Sequence, residues 1–179
     1  MNTHETKAAY FQFIDETGSD ASETIISAGA ALMMFRLRKE VGDLDLDVTP
    51  EIYERYKTEE NVRRSSLGEY VDYSDTISLH AKEHDPHPNF VMPWVCLDTN
   101  RTIYTYSRKQ LIEQKIKLLE MEDRIPSKIP RDIEDLDGLI FSFCTEWAGG
   151  TEEGKDLIRR AGIAKAKRMQ QLDLSQSET

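Results

Sequence analysis

Two short runs of β-branched and aromatic residues, separated by four polar residues, constrain the fold of this chain more than any other feature. The runs are residues 90–97 and 102–107, and the sequence Asp-Thr-Asn-Arg lies between them. Such residues pack well on a pleated sheet, and Asp and Asn favour turns. The pattern therefore predicts an antiparallel β-hairpin. Pro93 cannot donate a backbone hydrogen bond, so we expect its strand at a sheet edge or bulged.

The other local signals are mainly helical. Gly18 is a good C-terminal cap for residues 4–17, and Asp20 with Glu23 forms a capping-box pattern that begins a helix ending before Gly42. Thr49 and Pro50 begin another helix, and further helices are expected at 58–64, 108–122, 132–147 and 151–172. We expect an α+β fold: a mainly helical single domain with one antiparallel β-hairpin at about 90–107, packed against 108–122 and 132–147, and a basic C-terminal helix.

Charge is distributed unevenly along the chain. Residues 1–150 carry 17 basic and 28 acidic side chains, whereas residues 151–179 carry 6 basic and 5 acidic ones. We expect an acidic core domain over 1–150 and a basic helix with a frayed tail over 151–179. The cations of that helix are candidates for binding a protein partner or nucleic acid, unless they pair with this chain's own acidic surface. They are Lys155, Arg159, Arg160, Lys165, Lys167 and Arg168.

Composition limits where the protein is expected to act. No stretch reaches the ~20 apolar residues of a membrane-spanning helix, and the first residues lack a secretory signal pattern. Cys96 and Cys144 both follow apolar residues, as core fillers do, and make a disulfide framework improbable. We expect a cytoplasmic protein that does not bind membranes.

Three of the four histidines fall within eight residues and form a candidate metal site. They are His80, His84 and His87. Imidazoles at this spacing can share one helix face or loop and hold a divalent ion such as zinc or manganese. The alternative is a solvated polar loop, which the prolines at 86 and 88 favour.

A second acidic pattern partly matches a calcium-binding loop. Asp43, Asp45, Asp47 and Glu54 occupy positions one, three, five and twelve of that template. The sixth position requires Gly for a sharp turn, and here it is Val48. We therefore interpret these residues as an acidic linker.

The sequence Phe-Ile-Asp-Glu-Thr-Gly at residues 13–18 resembles the opening of an uncharacterised family of RNase H-like nuclease domains. The resemblance implies that Asp15 ends a first strand as a metal ligand and that residues 135–140, with Asp137, correspond to the family's closing helix. The residues themselves favour another interpretation, in which Asp15 lies in the last turn of a helix beside Gly18.

These features lead to three functional hypotheses. We expect a non-catalytic protein without a cofactor: a small regulator, inhibitor or accessory subunit that binds a protein partner or larger bacterial or viral assembly. The first alternative is a metal-dependent hydrolase or nuclease that uses His80, His84 and His87, or Asp15 and Asp137, to activate water. The second alternative is a nucleic-acid-binding subunit that uses its basic C-terminal helix.

Overall fold

The chain forms two compact units. The computed structural model describes residues 1–65, 68–82, 90–145 and 150–177. The units are Met1–Ser107 and Arg108–Thr179. The predicted boundary at residue 150 lies within the second unit.

Within its described residues, the first unit combines three α-helices with seven strands. The helices are α1 (Thr3–Thr17), α2 (Ala28–Met34) and α3 (Pro50–Tyr56). The strands are β1 (Thr24–Ile26), β2 (Leu44–Val48), β3 (Val62–Ser65), β4 (Gly68–Ser74), β5 (Ile77–Ala81), β6 (Val91–Cys96) and β7 (Arg101–Tyr106). All seven strands form one sheet, in the order β3-β4-β5-β2-β1-β7-β6.

The sheet is mixed, and β2 lies at its centre. This strand is parallel to β5 and antiparallel to β1, while β1 is parallel to β7. Leu46 of β2 lies opposite Leu79 on one side and Ile26 on the other. Parallel neighbours need long crossover connections, so a sheet of this kind is built together with helices.

The two faces of the sheet have different chemistry because side chains alternate along each strand. Leu44, Leu46 and Val48 of β2 are fully buried on one face, which we call the apolar face. The register places polar side chains together on the opposite face, which we call the polar face. Its central members are Asp45, Asp47, Ser78, His80 and Tyr106.

Aromatic contacts attach α1 and α3 to the sheet. The ring of Phe13 in α1 meets that of Tyr73 in β4 edge to face, with centroids 4.9 Å apart. Tyr56 of α3 meets Tyr73 in the same way at 5.3 Å. Tyr10, which is fully buried, also donates its hydroxyl hydrogen bond to the Thr24 carbonyl at 3.0 Å. Such ring pairs contribute to packing beyond their buried area.

The start and end of α1 follow from its sequence. The Asn2 side chain accepts hydrogen bonds from the backbone N–H groups of His4 and Glu5, and the Glu5 carboxylate accepts one from the backbone N–H of Asn2. This reciprocal capping satisfies donors that the first helical turn leaves open. Gly18 ends the helix with a left-handed φ of 64°, a conformation that glycine adopts without a Cβ clash.

The second unit is helical in its described part. It contains α4 (Arg108–Glu120), α5 (Ile129–Cys144) and α6 (Glu152–Ser177). Each helix buries residues spaced three or four apart, as in Leu157, Ala161 and Ala164 of α6. Neither α6 nor any other helix in the described part of the chain is both long and apolar enough to cross a membrane.

A buried group of charges links α4 to α5 and to the segment between them. The Lys115 ammonium lies 2.7 Å from a carboxylate oxygen of both Asp132 and Asp135. The Arg124 guanidinium donates to the second oxygen of Asp132, at 2.7 Å from Nε. Two cations therefore neutralise two carboxylates, and burial is tolerable because each charge has a partner.

The predicted fold class, mainly helical α+β with one hairpin, is wrong. The predicted hairpin is present as β6 and β7, but it is one end of a seven-stranded sheet in an α/β fold. Three strands replace elements that were predicted differently. The predicted helix over 24–26 is β1, and the predicted linker over 43–49 contains β2. The predicted helix over 62–64 is part of β3. These strands are short, so contacts with neighbouring strands determine them more than local helix propensity does.

Replacing Lys115 with Met is expected to lower the free energy of unfolding of the second unit by about 3–5 kcal/mol, because two buried carboxylates, Asp132 and Asp135, would both lose their ion pair with a buried cation. Lys109→Met is the matched control. Its partner Glu153 is exposed, so the loss should stay below about 1 kcal/mol. Urea unfolding followed by circular dichroism measures both. Equal stability of the two variants would contradict the role given to the buried charges.

Candidate functional site

The carboxylates of β2 form the centre of the polar face. Asp45 and Asp47 are two residues apart on one extended strand, so their side chains leave the same side of the sheet. Asp43 is exposed and lies one residue before the strand begins. The chain thus brings three carboxylates to one short segment in the middle of the sheet.

Asp47 is the buried member of this group. Its side chain is 1% exposed, and Oδ2 accepts hydrogen bonds from Lys82 Nζ at 2.5 Å and from the Tyr106 hydroxyl at 2.6 Å. Burial, reinforced by the charge of Asp47, raises the pKa of Tyr106 above its usual range, so the phenol stays protonated and donates. Oδ1 of Asp47 has no hydrogen-bond partner among the described residues.

Asp45 is more accessible than Asp47. Its side chain is 24% exposed, and Oδ1 lies 3.4 Å from Nε2 of His80 on β5. The His80 ring stacks on Tyr70 of β4, with centroids 5.5 Å apart and planes inclined by 26°. This stack holds the imidazole beside Asp45, and the carboxylate keeps an open side toward solvent.

The turn from β1 into α2 lies against β2. The backbone N–H of Ser27 donates to the Asp45 carbonyl at 3.0 Å, and Ala28 follows with a left-handed φ of 46°. A residue other than glycine pays about 1–2 kcal/mol for that conformation. Gly29 comes next, where a Cβ atom would lie 2.6 Å from the Arg38 guanidinium. The contact with β2 therefore has to offset the strain of this turn, and a side chain at position 29 would displace the flexible end of Arg38.

The donor set of this segment suits a hard divalent cation only in part. Carboxylate oxygens are the ligands that Mg²⁺ prefers, and Asp43 and Asp45 present such oxygens outside the core. The Lys82 ammonium already occupies Oδ2 of Asp47. Within the described residues, no group of three or more His, Cys, Asp or Glu side chains could hold a metal ion. The segment thus fits Mg²⁺ that arrives with phosphate ligands, which commonly needs only one or two protein carboxylates.

The predicted histidine site is described only at its first member. His80 lies on β5, beside Asp45, whereas His84 and His87 fall outside the described residues. Metal binding by the three histidines together stays a prediction.

Asp15 and Asp137, the pair suggested by the RNase H-like resemblance, each form an ion pair in their own unit. Asp15 lies in α1, where the resemblance implies a strand, and both of its oxygens accept from Arg101, at 2.7 and 2.9 Å. These hydrogen bonds lower the pKa of Asp15. Asp137 accepts from Lys165 at 2.5 and 2.7 Å.

Five of the six candidate cations of the basic helix contact side chains of the second unit. The pairs are Lys155 with Glu152, Arg159 with Asp156, Arg160 with Glu113, Lys165 with Asp137, and Arg168 with Gln171. Lys167 is exposed, with no polar contact in the described part of the chain. These contacts agree with the alternative in which the helix pairs with its own protein, and partner or nucleic-acid binding stays a prediction.

Sequence inspection found the aspartates of β2 but misassigned them. The signal was the strict alternation Leu-Asp-Leu-Asp-Val at residues 44–48, which is typical of a strand with one polar face. Lys82 and Tyr106 gave no signal, since only the fold brings them to Asp47.

Comparisons with known proteins give one informative likeness. No protein-family model matches the chain, and no curated protein matches it. The fold is similar to that of an antigenic nucleotidyltransferase-like protein from Paracoccidioides brasiliensis, with a TM-score of 0.52 and 14% sequence identity over 97% of this chain and 90% of that chain. At this identity the likeness shows a shared fold.

Removing the Tyr106 hydroxyl tests the support of Asp47. Tyr106→Phe is expected to lower the free energy of unfolding by about 1.5–3 kcal/mol, since a hydrogen bond to a buried charge is lost. Tyr104→Phe is the control, because its hydroxyl has no hydrogen bond in the described residues, and it should cost less than about 0.5 kcal/mol. Thermal or urea unfolding at neutral pH measures the difference.

The raised pKa of Tyr106 predicts that the free energy of unfolding depends on pH. Because the pKa of Tyr106 is raised in the folded chain, its stabilising contribution is fully present below the ordinary tyrosine value of 10.0 and declines as the pH rises above it. The wild type should therefore lose stability relative to Tyr106→Phe above that pH. A constant difference in the free energy of unfolding between the two proteins through the alkaline range would contradict the raised pKa of Tyr106.

Proposed function

We propose that this chain is a nucleotidyltransferase that binds a nucleoside triphosphate with Mg²⁺ at Asp43 and Asp45. The observation that carries the proposal is the acidic segment at the centre of the sheet, with the accessible carboxylates of Asp45 on β2 and of Asp43 just before it. The likeness to a fold described as nucleotidyltransferase-like supports it. Together they favour catalysis over the non-catalytic role expected from the sequence.

The proposed reaction uses the two accessible carboxylates to position phosphate groups. A hydroxyl of the acceptor attacks the α-phosphorus, the bond to the bridging oxygen breaks, and pyrophosphate leaves with that electron pair while the hydroxyl proton passes to solvent. Asp45 and Asp43 would hold Mg²⁺, which would neutralise charge that develops on the phosphate oxygens. Positioning of the phosphates in this way is the main contribution a protein makes to phosphoryl chemistry.

Asp47, Lys82 and Tyr106 have a supporting role in this proposal. Lys82 and Tyr106 both hold the buried Asp47 carboxylate, which fixes β2 and so positions Asp45 two residues away. The Lys82 side chain is 46% exposed, so its ammonium also adds positive charge at the border of the polar face. Phosphates approaching Asp45 and Asp43 meet that cation rather than carboxylates alone.

Binding of nucleoside triphosphates tests the site. Full-length protein is mixed with Mg²⁺ and each of the four α,β-methylene ribonucleoside triphosphates in turn, and thermal stability and calorimetric binding are recorded. At least one nucleotide should raise the melting temperature, because a ligand that binds the folded state stabilises it. Asp45→Asn and Asp43→Asn should each weaken binding at least about tenfold, since the Mg²⁺ loses a charged ligand.

Asp98→Asn is the matched control for this experiment. Asp98 is exposed in the turn between β6 and β7, at the opposite end of the sheet from Asp43, so its substitution removes the same charge away from the site. Its binding should equal that of the wild type. The proposal fails if none of the four nucleotides binds with Mg²⁺, or if Asp45→Asn binds as tightly as Asp98→Asn. Transfer from the matching α-labelled nucleotide, with release of pyrophosphate, then distinguishes an enzyme from a binding protein.

A further inference from the structure

The strand β6 ends the sheet and presents open backbone groups. In the antiparallel pairing with β7, the Ser107 N–H donates to the Phe90 carbonyl at 2.9 Å. Hydrogen-bonded pairs alternate along such a ladder, so the backbone of even-numbered residues of β6 faces β7. The backbone groups of Val91, Pro93 and Val95 therefore point away from the sheet. Among the described strands, none pairs with β6 on that side.

The side chains along this edge are apolar and uncharged. Residues 90–97 contain no Asp, Glu, Lys or Arg, although 31% of the chain is charged. Met92 is 36% exposed, Val95 59% and Leu97 95%. An open, uncharged edge of this kind is a template for another strand.

The opposite edge of the sheet is protected in the usual way. There β3 carries Arg63 and Arg64, and both are exposed. Charges on an edge strand oppose pairing with a further strand, because a partner would have to desolvate them. On β6 only Pro93 opposes pairing with another strand. It removes one backbone donor, and the other outward-facing N–H and C=O groups stay available.

We propose that two copies of this chain associate through β6, with the two strands antiparallel across a two-fold axis. The occupant of this edge must be an extended, uncharged segment, and β6 itself meets that requirement. Charge favours the same contact. The whole chain has a net charge of -10, whereas the hairpin at residues 90–107 carries one acidic residue, Asp98, and one basic residue, Arg101. Two copies therefore meet with least repulsion at this edge.

Pro93 limits the registers open to the pair. If the two-fold axis passes near Trp94, Pro93 lies opposite the partner's Val95 and still accepts one hydrogen bond from it. If the axis passes near Pro93, two residues without donors face each other and both hydrogen bonds of that central pair are lost. The proposed dimer has the first register, because it keeps hydrogen bonds at the centre of the pair and places the apolar Val95 side chains of the two copies close together.

Sedimentation equilibrium of the full chain, from micromolar to near-millimolar concentration, tests the dimer. The wild type should show a reversible monomer–dimer equilibrium, and Val95→Lys should remain monomeric because two ammonium groups would meet across the axis. Thr76→Lys is the control, since it adds the same charge at an exposed turn, and it should dimerise as the wild type does. A wild type that stays monomeric throughout, or a Val95→Lys dimer as tight as the control, overturns the proposal.

Pro93→Val separates strand pairing from apolar contact alone. The substitution restores one outward donor in each copy, so the dimer should tighten roughly 10- to 30-fold. An unchanged dissociation constant would overturn the strand pairing. Circular dichroism and melting curves of each variant establish that the monomer is folded, so that a lost dimer is not confused with a lost fold.

Discussion

The polar face depends on the way one buried carboxylate is held. Asp47 is 1% exposed at the centre of the sheet, where an ionised carboxylate without partners would cost several kcal/mol. Hydrogen bonds from Lys82 and Tyr106 offset that cost, at about 1.5–3 kcal/mol each. Since these donors come from β7 and from the residue after β5, the carboxylate ties together strands on both sides of β2.

That arrangement determines which oxygens remain available to a ligand. Oδ2 of Asp47 is occupied by two donors, and a cation at that oxygen would compete with an ammonium at 2.5 Å. Asp45 and Asp43 are more exposed than Asp47. Position along the strand therefore separates two tasks: the buried Asp47 supports the sheet, while Asp45, nearer the start of the strand, is more accessible to solvent. A site built on a central strand is also held more rigidly than one on a loop.

Local signals predicted the elements that local interactions determine. The β6–β7 hairpin has β-branched residues on both strands and turn residues between them, and α3 begins at Thr49 and Pro50 as expected. The strands β1, β2 and β3 were missed for different reasons. β1 is three residues long, β2 carries aspartates that strands usually lack, and β3 contains two arginines. The pairing partners of β1 and β2 lie far along the chain, so no short window of sequence contains the interactions that form these two strands, whereas β3 pairs with the adjacent β4.

The difference between local and long-range interactions also explains why the candidate site could not be assembled from the sequence. Asp45 and Asp47 were visible as a pattern, but Tyr106 is 59 residues from Asp47 and Lys82 is 35 residues away. The cations of α6 show the opposite case. Their clustering is obvious in the sequence, yet five of them contact side chains within the second unit. A run of like charges indicates a functional surface only when the fold leaves those charges without partners.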